Sequence, residues 1–257
     1  MDNRTRFREK PISTRGTPED EWQPWLASNP FLPIPLTECD RLVVVAPHPD
    51  DEVLGVGALM ATAAAAGTPV VVVAVTDGAA SHPGSPTLSP DALAAARIAE
   101  SNRSTALLGV GEPLRLGLPD GGVSAHEHEL TTRLVDVLTA TSGEAERVWV
   151  LATWRGDGHP DHEATGRAAA EACSITGHRL IEYPVWMWHW ARPADPAVPW
   201  DRMRVLTPAA EILARKRRAV DEFRTQILPL SEDPRDAAIV PQWVLARLMR
   251  TTEWVLW

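Results

Sequence analysis

The chain has 257 residues, 44% hydrophobic and 23% charged, with a formal net charge of −9. That length supports one large domain with a substantial core, and the acidic balance argues against nonspecific nucleic-acid binding. No run of about 18 apolar residues occurs, so no membrane-spanning helix is expected. Cys39 and Cys173 fit neither a zinc-type cysteine pair nor a disulfide framework. Two free thiols, and a start (Met1–Arg8) that leads into no apolar stretch, point to the cytoplasm. The densest basic cluster, Arg215-Lys216-Arg217-Arg218, reads as a solvated helix face.

Residues 1–40 carry Pro11, Pro18, Pro24, Pro30, Pro33 and Pro35 and read as an arm. Thr17-Pro18-Glu19-Asp20 suits the start of one short helix, to about Leu26. Alternation then begins. Strand Leu42–Ala46 leads to a helix over about 53–65, which Gly67-Thr68-Pro69 ends. Strand Val70–Val75 precedes Thr76-Asp77-Gly78 and a polar loop, Ser81–Ser89. A helix runs from Pro90 to Leu108, a short strand covers Leu114–Leu116, and Pro119-Asp120-Gly121-Gly122 turns the chain. A helix over about 127–140, strand Arg147–Thr153, the turn at Gly156-Asp157-Gly158, a helix over about 160–174 and strand Arg179–Tyr183 complete the pattern.

This alternation predicts an α/β, Rossmann-like three-layer α/β/α fold with a mostly parallel sheet over 41–185. Residues 186–257 are expected to add a helical, Trp-rich extension to the same domain, with helices near 209–226 and 236–250. The indoles read chiefly as core and interface groups. Trp186 and His189 stand just past the last strand, where they are expected to border a substrate pocket. Glu253–Trp257 is too apolar for water and should pack on the domain or on a neighbouring subunit, which leaves a homo-oligomer open.

Chemistry concentrates at three strand ends: His48-Pro49-Asp50-Asp51-Glu52, Thr76-Asp77-Gly78 and His159-Pro160-Asp161-His162. In an open α/β sheet these C-terminal ends face one crevice. His48, Asp51 and His162 form a His₂–carboxylate set of the kind that holds catalytic zinc, and iron(II) accepts the same donors. Asp50 points away from its neighbour's direction and is free to act as a base. His159, at a helix start with Pro160 in the first position, can face the same site. Each motif alone also suits helix capping or a surface pair; their joint occurrence after strands favours metal chemistry. Glu52 is left to support the turn or a ligand.

The run Pro47-His48-Pro49-Asp50-Asp51-Glu52 with Gly55-Val56-Gly57, and later His159-Pro160-Asp161-His162, resembles the LmbE-like, or PIG-L, zinc-dependent de-N-acetylase family. Thr76-Asp77-Gly78, Arg97-x-x-Glu100, Leu107-Leu108-Gly109-Val110 and Leu116-Gly117-Leu118-Pro119-Asp120 are similar to it as well. Pro47 stands where many members have Ala. The resemblance implies hydrolysis of an N-acyl group, commonly N-acetyl on a glucosamine unit, to a free amine and a carboxylate. It also implies His48, Asp51 and His162 as zinc ligands, Asp50 as general base and His159 as the oxyanion-stabilising histidine. Arg97 and Asp120 match positions that contact sugar hydroxyls in some members. The expected partner is a small N-acylated substrate. Rival readings are a deacylase of a non-sugar N-acyl amine, a non-catalytic metal-binding protein and a nucleotide-binding module. The last lacks the Gly-x-Gly-x-x-Gly turn after the first strand.

Overall fold

A computed structural model of the protein describes residues 2–143, 145 and 147–257. Two helices, α1 (Asn3–Glu9) and α2 (Glu19–Ser28), and a two-residue strand, β1 (Leu32–Pro33), form the N-terminal segment. Alternation follows: β2 (Arg41–Ala46), α3 (Asp51–Ala65), β3 (Val70–Thr76), α4 (Pro90–Leu108), β4 (Leu114–Leu118), α5 (Glu127–Ser142), β5 (Val148–Thr153), α6 (Pro160–Thr176) and β6 (Arg179–Tyr183). The remainder holds α7 (Met187–Trp190), β7 (Met203–Leu206), α8 (Ala210–Val220), α9 (Arg224–Ile227), α10 (Gln242–Leu248) and β8 (Glu253–Leu256).

Among the described residues the strands form one eight-stranded sheet, ordered β4-β3-β2-β5-β6-β8-β7-β1. Strands β2 to β6 pair in parallel, and β8 runs antiparallel to both β6 and β7. The period-two geometry of a strand sends alternate side chains to opposite faces. Leu42 and Val44 therefore join one core, with Leu59 and Met60 of α3. Val43 and Val45 join the other, with Leu134 of α5 and Ala168 of α6. Both faces of the central strand are buried, which explains its unbroken aliphatic run. From β2 the chain winds outward through β3 to β4, then returns to β5 on the other side of β2. The crevice between the C-terminal ends of β2 and β5 is thus the switch point where such sheets bind ligands.

The C-terminal part departs from the all-helical expectation. Met203–Leu206 and Glu253–Leu256 are strands, and the two expected long helices are shorter pieces. Four-residue segments carry too little periodicity to announce themselves; the open edge of β6 supplies their pairing partner. Glu253–Leu256 thus packs on the domain as part of the sheet. Several indoles behave as core groups: Trp22, Trp188 and Trp254 are buried, and Trp22 and Trp188 meet edge to face with centroids 5.1 Å apart, whereas Trp243 is exposed.

Lys216 also departs from expectation. It lies on the inward face of α8 with Ile212, Ala219 and Val220, only 1% exposed, whereas Arg217 and Arg218 do face solvent. Its ammonium donates to Glu253 (2.7 Å) and to the carbonyls of Leu54 (2.8 Å) and Leu248 (3.0 Å). Glu253 in turn accepts from the N–H groups of Ala58 (2.8 Å) and Leu59 (2.7 Å). In a regular helix the Leu54 carbonyl would bond the Ala58 N–H. Val56, at φ −139°, breaks α3 at this point, and the Lys216–Glu253 pair satisfies the groups that the break frees. The first turn of α3, which carries Asp51, is set by that break.

Candidate metal centre and active site

Pro47–Asp50 links β2 to α3, and Trp154–His159 links β5 to α6. Asp50 is the residue before α3 and has φ 129°, a conformation rare for a residue with a side chain. Its N–H donates to Glu52 Oε2 at 3.1 Å, so Glu52 holds the turn. His159 caps α6, with Pro160 in the first position, and its Nδ1 accepts from the Asp161 N–H at 3.3 Å.

These turns bring His48, Asp51 and His162 together, with one ligand atom from each lying within 4.8 Å of the others. His48 Nδ1 is 3.1 Å, and His162 Nε2 3.2 Å, from Asp51 Oδ2. Bonds of about 2.0–2.1 Å to a tetrahedral ion place neighbouring donors roughly 3.3 Å apart, so the spacing suits a metal. The decisive atom is His162 Nε2. It is buried and without a hydrogen-bond partner, although the Nδ1 of the same ring bonds Asp157 Oδ2 at 2.8 Å. A buried imidazole with one nitrogen tied to a carboxylate and the other left over is the arrangement of a metal-ligating histidine. The residues therefore fit a divalent ion.

A second trio, His48 with Asp120 and Asp161, also lies within ligating distance. Its carboxylates are already engaged: Asp161 accepts from the N–H groups of Gly121 (2.8 Å) and Val123 (3.2 Å), and Asp120 from that of Ala80 (2.7 Å). His48 Nε2 lies 3.2 Å from Asp120 and 3.3 Å from Asp161, so these acids orient the ring from behind.

Burial opposes protonation of His162, but Asp51 and Asp157 outweigh it and raise its pKa to about 9. Burial likewise disfavours an ionised Asp51, yet His162 and His48 pull it well below the carboxylate range. A ligating imidazole is neutral, so binding of an ion at these groups would displace their protons. Burial pushes Asp50 up to about 8, against the Arg97 guanidinium 3.4 Å away. Burial, with the neighbouring His162 and His48, lowers His159 to about 3 and keeps it neutral. With Nδ1 occupied as an acceptor, neutral His159 has an Nε2–H to donate.

A cleft of about 210 Å³ opens over this centre, lined in part by His48, Asp50, Asp51, Arg97, Asp120, His159 and Trp186. Arg97 is buried and donates to the carbonyls of Pro49 (2.7 Å) and Gly78 (3.0 Å), so it braces the Asp50 turn as well as facing the cleft. Gly78 is required there: at φ +70°, a Cβ would lie 2.2 Å from the Arg97 guanidinium. His189 stands apart from this lining. Its ring lies under the N-terminal segment, with Nε2 3.1 Å from the Pro11 carbonyl and Nδ1 accepting from Arg247 at 2.8 Å.

Asp157 escaped the sequence reading, which took Gly156-Asp157-Gly158 only as a turn. It is fully buried, and besides His162 it accepts from the N–H groups of Val185, Trp186 and Met187. The available signal was chemical: a ligating imidazole needs an acceptor behind it, and Asp157 is the acid in the loop leading to His162.

Residues 43–173, just over half of the chain, match the PIG-L family, described as GlcNAc-PI de-N-acetylase. The chain is 30% identical over 201 residues to 1D-myo-inositol 2-acetamido-2-deoxy-alpha-D-glucopyranoside deacetylase of Kineococcus radiotolerans, covering 64% of this chain and 50% of that protein. It thus spans about half the length of that curated relative. Among solved structures, the deacetylase–bog complex from the teicoplanin biosynthesis pathway aligns with a TM-score of 0.56 and 25% identity, covering 72% of this chain and 85% of the other. The N,N'-diacetylchitobiose deacetylase of Pyrococcus horikoshii shares the fold, with a TM-score of 0.59 and 22% identity over 74% of this chain and 72% of that one. The matched span runs from within β2 to the last turn of α6 and contains every side chain of the His48–Asp51–His162 centre; the chain belongs to the PIG-L family.

Proposed function

We propose that the protein is a zinc-dependent hydrolase of N-acyl amides, acting on an N-acetylglucosamine-type conjugate and releasing a free amine and acetate. The observation that carries this reading is the buried His162 Nε2, which makes no hydrogen bond and converges with His48 on Asp51 Oδ2, 3.2 Å away. The names of the relatives, deacetylases of acetamido sugars, support the substrate class. The two buried free cysteines agree with a reducing compartment such as the cytoplasm.

His48, Asp51 and His162 would hold the ion, with Asp157 fixing the His162 ring. Bound zinc supplies Lewis acidity toward the acyl carbonyl and makes water more acidic. Asp50 would be favoured in its ionised form beside a bound cation, and from the cleft wall the carboxylate can then take the proton of the attacking water and deliver it to the departing amine nitrogen. Arg97 and the strained turn aim its carboxylate. His159 donates from Nε2 to the carbonyl oxygen as negative charge builds there, and its neutral state lets it do so without titrating near pH 7. Amine release from a panel of N-acetylglucosamine conjugates, with chelated enzyme reloaded with zinc or iron(II), tests the reading. Release restored best by zinc is expected; no release from any conjugate with either metal overturns it.

A further inference from the structure

Most of the cleft's polar lining and most of its apolar lining come from different parts of the chain. Its polar lining, from His48 to His159, lies within the span that matches the family, and Gln226 alone among the polar lining residues lies outside it. Its larger apolar side chains are Leu54, within that span, and Ile12, Val185, Trp186, Ile239, Val240 and Leu248, outside it. Val185, Trp186, Val240 and Leu248 are buried, while Ile12 and Ile239 keep part of their surface exposed.

This apolar lining is preformed. Asp236, fully buried, accepts from the hydroxyls of Ser85, Thr87 and Ser231, each at 2.5 Å, which pins the segment leading to Ile239. On the other side Lys10 donates to the Trp190 carbonyl at 2.9 Å and the Pro11 carbonyl lies 3.1 Å from His189 Nε2, fixing the chain just before Ile12. A hydroxyl placed against the aliphatic side chains Ile12, Val185, Ile239, Val240 and Leu248 would lose its water partners and gain none from them, which is costly. An apolar group there is removed from water at no such cost.

We propose that the cleft selects an N-acylated substrate carrying a compact apolar group beside the scissile amide, rather than one clothed in hydroxyls on every side. This rests on the hydrolase reading and narrows its substrate class. The cleft's volume of about 210 Å³ lies below the usual range for ligand pockets, so the group is small. An acyl chain longer than acetyl and an apolar substituent on the amine side both supply that chemistry, and two substrate series separate them.

The first series is N-acetyl-, N-butyryl- and N-hexanoyl-glucosamine. The second is N-acetylglucosamine and its butyl and phenyl glycosides. With the zinc-loaded full chain, kcat/KM is expected to rise by up to roughly fourfold per buried methylene in at least one series, and the series that rises identifies the source. Ile12→Asn and Ile239→Asn, both at partly exposed positions, should each lower the ratio of the best to the shortest member at least fivefold. That ratio is internal to each variant and does not depend on how much of it folds. Flat or falling values in both series, with the acetyl compound still hydrolysed, overturn the apolar subsite and leave the hydrolase intact. Unchanged ratios in both variants overturn it as well. Calorimetric binding of the same compounds to Asp50→Asn reads the preference without turnover. Amine release from none of them sinks the hydrolase reading, while the binding series still decides the subsite.

Discussion

Two buried charged clusters sit at either end of the first turns of α3, and they differ in one respect. In the Lys216–Glu253 cluster each charge is answered: the ammonium has three acceptors, and both carboxylate oxygens take backbone N–H groups. In the His48–Asp51–His162 cluster His162 Nε2 is left over. Asp51 and His162 are as buried as Lys216 and Glu253, so burial does not separate those pairs; saturation of donors and acceptors does. The saturated cluster shapes the helix. The unsaturated one has room for a ligand.

The sharpest way to break this comparison is at Asp50, beside the unsaturated cluster. Asp50→Asn removes the base but no proposed ligand, so amide hydrolysis should fall by about 10²–10⁴ with metal content unchanged by elemental analysis. Full turnover by that variant would take Asp50 out of the mechanism. The saturated cluster should answer in stability instead. Lys216→Met strands the Glu253 carboxylate, and denaturant unfolding should show a loss of about 3–5 kcal/mol. Adding Glu253→Gln should restore part of it; if the double variant is no better than the single, the two side chains do not act as a pair.

A smaller effect is expected behind the ligand. Asp157→Asn weakens the acceptor that orients His162, and chelator competition should show metal affinity lower by about 10–100-fold. Unaltered affinity would leave Asp157 as an anchor for Val185–Met187 alone.

The smallest effect is a pH dependence away from both clusters. Burial, and then Arg247, lower the pKa of His189 to about 4. Its Nδ1 accepts from Arg247, so the native state needs the ring neutral. The unfolded chain takes up a proton near pH 6.5, whereas the folded chain resists until about 4. The stability this ring contributes is therefore complete above pH 6.5 and is lost as pH falls toward 4. Unfolding midpoints across that window should decline, and His189→Gln should flatten the decline; an equal slope in both proteins would place the dependence elsewhere.

Much of this molecule was legible without coordinates. The aliphatic runs Leu42–Ala46 and Val70–Val75 announced central strands, because a strand buried on both faces admits few polar residues. Pro90 and Gly109 marked the ends of α4, since a fixed φ in the first turn and a positive φ at the C-cap are local demands. The gathering of His48, Asp51 and His162 followed from one rule of parallel sheets, that strand ends share a crevice. By contrast, β7 and β8 depend on a partner edge that no local pattern encodes. The basic run around Lys216 was misread for a related reason: its other members do lie outward, and only the break in α3 explains the one that turns in.

What the sequence by itself determined is the chemistry available, because residue type and local strand–turn–helix grammar place imidazoles and carboxylates at the ends of β2 and β5. What tertiary structure alone decided is which of those groups is spent. Asp161 accepts two backbone N–H groups and Asp120 one from distant loops, Asp157 is recruited to hold His162, and His162 Nε2 is left without a hydrogen bond. Hydrogen-bond saturation is a property of three-dimensional neighbours, so only the folded chain could assign it.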